Sequence, residues 1–247
     1  MILPEDAFPL PPDTGAERPM MTASTMLVAS GAITLLLYML PFGRLLARPL
    51  LLLSTLAHEM GHGITALVLG GSFQRFAMWA DGSGVAEIDV SNFGRIRQGL
   101  TLAGGLVGPA VAAALCFTLG RTSHGARLCL VGLGVLLVAA EILIVRNAFG
   151  LFFVGLLATA CLFAGLRGSP ATAQLAVVFV AVQLALSVFS RADYLFTRTA
   201  RNPTGLYPSD VQRMEDVLVL PHWFWGGLCG AFSVAVLAWG LRIFWKR

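Results

Sequence analysis

The sequence predicts an all-α polytopic membrane protein, with about seven transmembrane helices and one small β-hairpin. Three observations predict it. Hydrophobic residues make up 57% of the 247-residue chain and charged residues 12%, against roughly 45–50% and 25% in soluble domains. Mean hydropathy is +0.78. The apolar residues also fall in blocks, each close to the ~20 residues that a hydrocarbon core about 30 Å thick requires.

In chain order, residues 1–23 are set apart by Pro4, Pro9, Pro11 and Pro12 and by Glu5, Asp6, Asp13 and Glu17. Such a stretch cannot bury enough apolar surface to order itself, and it lacks the basic start of a cleaved signal peptide. It is expected to be a disordered, uncleaved tail. Residues 24–247 then form a single transmembrane domain. Its spans fall at approximately 24 to 42, 49 to 70, 97 to 119, 126 to 145, 148 to 166, 171 to 190 and 222 to 243. Pro41 interrupts the first, which leads to Arg44 and Arg48. Pro221-His222-Trp223-Phe224-Trp225 opens the last, which closes on Arg242, Lys246 and Arg247, so both ends carry interfacial anchors. This is the profile of an integral multi-pass protein of the cell (plasma or inner) membrane.

Residues 71–96, between the second and third spans, change character. The turn signal Asp81-Gly82-Ser83-Gly84 separates the segment holding Phe73, Phe76, Met78 and Trp79 from the alternating Val85-Ala86-Glu87-Ile88-Asp89-Val90. Two short extended segments about such a turn predict a β-hairpin. It is either a plain connection or a flap over the preceding helix that offers an edge to an extended peptide.

Charge and cysteine content exclude two classes. The net charge of +4 comes from basic residues scattered through loops, with no basic run or aromatic-interleaved patch that would track a nucleic-acid backbone. No nucleic-acid partner is expected. Cys116, Cys129, Cys161 and Cys229 lie in or beside apolar blocks without a CxxC pair, as small core residues do.

The chemistry is concentrated in the second span. From Pro49 to Gly70 the only formally charged residue is Glu59, within His58-Glu59-Met60-Gly61-His62. Residues four apart share a helix face, so His58 and His62 can both turn a ring nitrogen to one metal ion, with Glu59 beside the open coordination position. Ionisable groups at bilayer depth cost about 2.5–3.5 kcal/mol each on insertion scales, and a divalent cation is a fitting partner for three of them. The expected cofactor is one zinc ion per chain, with Glu59 as general base.

Catalytic zinc commonly takes a third protein ligand. Asp193 follows the run Ala171 to Ser190, and residues 191–200 contain neither Pro nor Gly. A helix continuing to about Ala200 would hold Asp193 near the depth of His62, and Asp193 is the candidate ligand. Asp210, after Pro208-Ser209, reads more readily as the N-cap of a short amphipathic helix carrying Val211, Met214, Val217 and Leu218. Asn147 is a candidate substrate-binding residue, able to donate to a substrate carbonyl. Its neighbour Arg146 is expected to pair with Glu141. His124 and His222 are expected at the interface, and Gly104 to Ala110 form a small-residue surface for close helix packing.

Taken together, Leu56-Ala57-His58-Glu59-Met60-Gly61-His62-Gly63 with Gly70-Gly71, Asp81-Gly82-Ser83-Gly84-Val85, Gly108-Pro109, Arg146-Asn147, Asp193 and Ser209-Asp210 resemble the site-2-protease-type intramembrane metallopeptidases, especially their compact M50B-like branch. The likeness runs over roughly residues 49 to 240. It implies a zinc site that cleaves peptide bonds within or next to transmembrane segments of membrane-protein substrates. It also implies His58 and His62 as ligands, Glu59 as base and an Asp from a later span as third ligand. The Leu-Asp-Gly motif of better-studied members is absent. Alternatives are a proteolytically inactive metal-binding scaffold of the same fold, a metal carrier, and a membrane interaction module. The sequence sets no oligomeric state.

Overall fold

The computed structural model describes residues 22–40, 47–190, 192–202 and 205–246; the side chains of residues 38, 192, 193, 201 and 202 lie outside that description. The expectation of a disordered tail over residues 1–23 therefore falls almost wholly outside the described residues. The elements are α1 (Ala23–Met39), α2 (Arg48–Val68), β1 (Ser72–Met78), β2 (Gly84–Asp89), α3 (Arg95–Gly120), α4 (Ser123–Leu143), α5 (Ala148–Arg167), α6 (Pro170–Ser190), a 3₁₀ turn (Ala192–Phe196), β3 (Thr199–Asn202), β4 (Gly205–Pro208), α7 (Asp210–Leu218) and α8 (His222–Trp245).

Five of these helices, α3, α4, α5, α6 and α8, are long and apolar enough to cross a membrane. Of the seven expected spans, the other two differ in kind. The first is a shorter apolar helix, α1. The second, α2, has 21 residues, but its polar turn at His58, Glu59 and His62 dilutes the apolarity that marks the five. Lipid offers no partner for that turn, so α2 packs along α3, α6 and the hairpin. The centre of the bundle is α3: 61% of its apolar window is buried inside the protein, against 28% for α8.

Glycine lets α2 and α3 approach backbone to backbone. A Cβ on Gly61 of α2 would lie 2.3 Å from the carbonyl oxygen of Gly104, and one on Gly108 would lie 2.7 Å from that of Ala57. The small-residue surface of α3 therefore packs backbone to backbone on the HExxH helix, as the sequence suggested. Pro109 sits inside α3 without ending it.

The first hairpin forms where expected. Asp81 Oδ1 accepts from the backbone N–H and hydroxyl of Ser83 at 3.0 and 2.6 Å, and Gly82 takes the left-handed φ of +93° that the turn requires. β1 pairs antiparallel with β2, from Ser72↔Asp89 to Met78↔Gly84. Its other edge is taken by the chain after α4: the Phe76 N–H donates to Ile144 O and the Arg146 N–H to Phe76 O. Among the described residues, the outer edge of β2 pairs with no strand.

Two sequence expectations need correction. The Arg146 guanidinium donates to the carbonyls of Ile142, Leu143 and Val145, closing the exposed end of α4. Among the described residues no ion pair joins it to Glu141. The helix expected to run on to about Ala200 stops at Ser190, and a 3₁₀ turn and a second hairpin follow. Nothing local forbids helix there; the competitors are tertiary. The β3–β4 ladder takes the backbone from Thr199 onward, and the carbonyl of Leu195 docks on Gly226 of α8, where a Cβ would lie 1.8 Å away.

Candidate metal centre

The site is assembled from α2, α3 and α7. The 3.6-residue period puts His58 and His62 one above the other on the same face of α2, ring centroids 4.7 Å apart. Their Nε2 atoms are 3.2 Å apart. Beneath them, His62 Nδ1 lies 2.9 Å from the carbonyl oxygen of Thr101 on α3, an oxygen that can only accept. The His62 N–H is thereby committed to Nδ1, which turns the Nε2 lone pair into the site. Gly105 makes room for this ring: a Cβ there would lie 2.1 Å from His62 Nε2. Gly105→Ala is expected to cost about 1–3 kcal/mol through overpacking against the His62 ring and to displace that ring, read as a lowered thermal midpoint with reduced metal binding.

The third group is Asp210. Its Oδ2 lies 3.1 Å from His58 Nε2 and 3.2 Å from His62 Nε2. The amphipathic helix expected here forms, with Val211 and Met214 fully buried against Leu102 and Leu106 of α3. Its cap is one residue earlier than the sequence suggested. The Ser209 hydroxyl accepts from the Gln212 N–H, so Asp210 is the first helical residue and its side chain is free to reach the histidines.

His58, His62 and Asp210 offer three ligand atoms within 4.8 Å of one another. The set fits a metal on two counts. With a proton on Nδ1 toward Thr101, the Nε2 of His62 faces the Asp210 carboxylate, and a cation between the two nitrogens and that oxygen would pair all three. A tetrahedral ion with bonds of about 2.0–2.1 Å has ligand atoms roughly 3.3 Å apart, close to the 3.1 and 3.2 Å separations found. Asp193 belongs to the 3₁₀ turn, with its side chain outside the described residues.

Glu59 is half-buried under the hairpin: a Cβ on Gly84 would come within 3.0 Å of its Cγ, and the Thr55 hydroxyl donates to Gly82 O at 2.7 Å. The hairpin thus lies directly over the HExxH turn. Asn147 holds it there, its Oδ1 accepting from the Met78 N–H at 3.2 Å and its Nδ2 donating to Met78 O at 2.6 Å. All four cysteines are buried and free.

His222 is no isolated interfacial residue. Glu215 Oε2 accepts from both the His222 backbone N–H, at 2.7 Å, and its ring Nδ1, at 2.8 Å. With Arg198 Nη2 at 3.7 Å from Oε1, this fastens the far end of α7. The near end is tied by Ser209, whose N–H donates to Arg198 O at 2.9 Å. The two donations from His222 hold the Glu215 carboxyl below the ordinary glutamate range. An acid lowered on folding lends stability that is complete above about pH 4.3, the usual glutamate value, and is lost as pH falls through its folded-state value. The thermal midpoint is therefore expected to fall more steeply on acidification in wild type than in Glu215→Gln, measured by scanning fluorimetry.

Fold and site together define a multi-pass helical membrane protein with a two-histidine, one-carboxylate centre and a β-hairpin packed on the neighbouring Glu59. The chain belongs to the Peptidase M50B-like family, which matches residues 27–240 and so takes in every residue of the centre. No curated protein and no solved structure gives a significant match.

Proposed function

We propose that this protein is an intramembrane zinc metalloendopeptidase, hydrolysing peptide bonds within or next to the transmembrane segments of membrane-protein substrates. Membership of an M50-type peptidase family supports the reaction class. The observation that carries the reading is the convergence of His58 Nε2, His62 Nε2 and Asp210 Oδ2, with the His62 tautomer fixed by Thr101.

In this reading His58, His62 and Asp210 hold the zinc, and Asp210 takes the third position expected of Asp193. Zinc, when bound, supplies Lewis acidity to a substrate carbonyl and to the attacking water. Glu59, next in sequence to His58, receives a proton from that water on its carboxylate and returns it to the leaving amide nitrogen. The Thr101 carbonyl keeps His62 in the tautomer that ligates. A substrate helix must unwind to expose a peptide bond, and the unpaired outer edge of β2 offers backbone hydrogen bonds to such an extended stretch. Asn147, one amide hydrogen spent on Met78, has a second for a substrate carbonyl.

The test is metal analysis of purified full-length protein with a cleavage assay in proteoliposomes carrying a single-span substrate. Wild type is expected to hold one zinc and to cleave, and His62→Ala to lose both. Zinc without cleavage would favour a metal-binding scaffold; wild type without zinc would overturn the reading.

A further inference from the structure

One side chain at the centre has no part in the roles assigned so far. Tyr194, in the 3₁₀ turn, directs its hydroxyl at Asp210 Oδ2, 3.3 Å away. This is the same oxygen that faces both histidines. Its ring meets His58 edge-on, with centroids 5.7 Å apart, and the two residues share the wall of a small cavity with Ser54, Ser187 and Ser233.

The placement of Tyr194 is built into the fold. The turn that carries it is seated on α8 by the bare backbone of Gly226, where a Cβ would lie 1.8 Å from Leu195 O. Leu195 also packs against Gly230, and the Thr197 hydroxyl donates back to Tyr194 O. These contacts stop the helix that local sequence would have continued, and they aim the phenol at the carboxylate.

We propose that Tyr194 is a positioning residue for the metal centre: its hydroxyl donates to Asp210 Oδ2 and holds that oxygen toward His58 and His62. This rests on the metal reading of the site. A carboxylate at the first turn of a nine-residue helix can rotate, and two histidines fixed on a rigid helix need its oxygen in one place. A hydrogen bond from a neighbour that does not itself touch the ion is the usual means of fixing a ligating group, and losing such a partner typically costs about 10–100-fold in metal affinity.

The experiment uses full-length protein in nanodiscs. Zinc affinity is measured by competition with a chromophoric chelator, the ligand field by the visible spectrum of the cobalt-substituted form, and folding by the metal-free thermal midpoint. Tyr194→Phe is expected to bind zinc about 10–100-fold more weakly, with a changed cobalt spectrum and an unchanged metal-free midpoint. Gly226→Ala, which must push the turn away, is expected to change the cobalt spectrum as well, and Tyr207→Phe, at an exposed tyrosine of β4, to leave it as in wild type. Wild-type affinity and spectrum in Tyr194→Phe would overturn the proposal while leaving the metal reading intact. An affinity loss that appears only with a lowered metal-free midpoint would also overturn it. If wild type binds neither zinc nor cobalt, the metal reading itself falls.

Discussion

Glu59→Gln is expected to lower peptide hydrolysis by about 10²–10⁴-fold, the range that general acid–base groups contribute, while zinc content stays at the wild-type value. The amide keeps the size and half-buried packing of the side chain under Gly84 but cannot take a proton from water at neutral pH. The ligand atoms of His58, His62 and Asp210 are untouched, so metal analysis and hydrolysis should separate. Cleavage at the wild-type rate by the zinc-loaded variant would remove Glu59 from the mechanism. Loss of zinc along with activity would instead assign it to the ligand set.

Asp210→Ala is expected to weaken zinc binding by more than about 100-fold, beyond the effect of losing a neighbour that merely orients a ligand. Only the two imidazoles would remain, and the carboxylate that balances the ion's charge would be gone. The bundle should persist, because α7 is held by Val211 and Met214 in the core and by ties at both ends. Asp193→Ala, made beside it, decides between the sequence candidate and the structural one. Zinc retained in the Asp193 variant and lost in the Asp210 variant is the expected pair of results; the reverse would return the third position to Asp193.

Much of this centre was legible in the sequence because it is local. The spacing of His58 and His62 is a helix property that no tertiary contact needs to supply, and Asp81-Gly82-Ser83-Gly84 announces its turn through side-chain chemistry that the structure reproduces. The span boundaries of α3, α5 and α6 fall close to expectation for the same reason: block length is set by the bilayer. What could not be read depends on segments far apart in the chain. Asp210 looks like a cap until Ser209 is seen to occupy that position. The helix after Ser190 looks continuous until Gly226, more than thirty residues later, is seen to capture Leu195. The β3–β4 hairpin did leave a signal, Asn202-Pro203-Thr204-Gly205, which is turn chemistry of a recognisable kind. Thr101 left none, since it contributes a backbone carbonyl rather than a side chain.

The ties that fasten α7 have a consequence for how the protein would acquire its ion. Two donors ride on a helix locked glycine to glycine against its neighbour, whereas the remaining one belongs to a short strut outside the long apolar spans. Motion of the strut would carry the carboxylate away from the two histidines while the glycine-to-glycine contact of the long helices stays in place. Loading and stripping of the cation should then follow the breathing of residues 205–222, and hydrogen exchange in that stretch should slow when zinc is added.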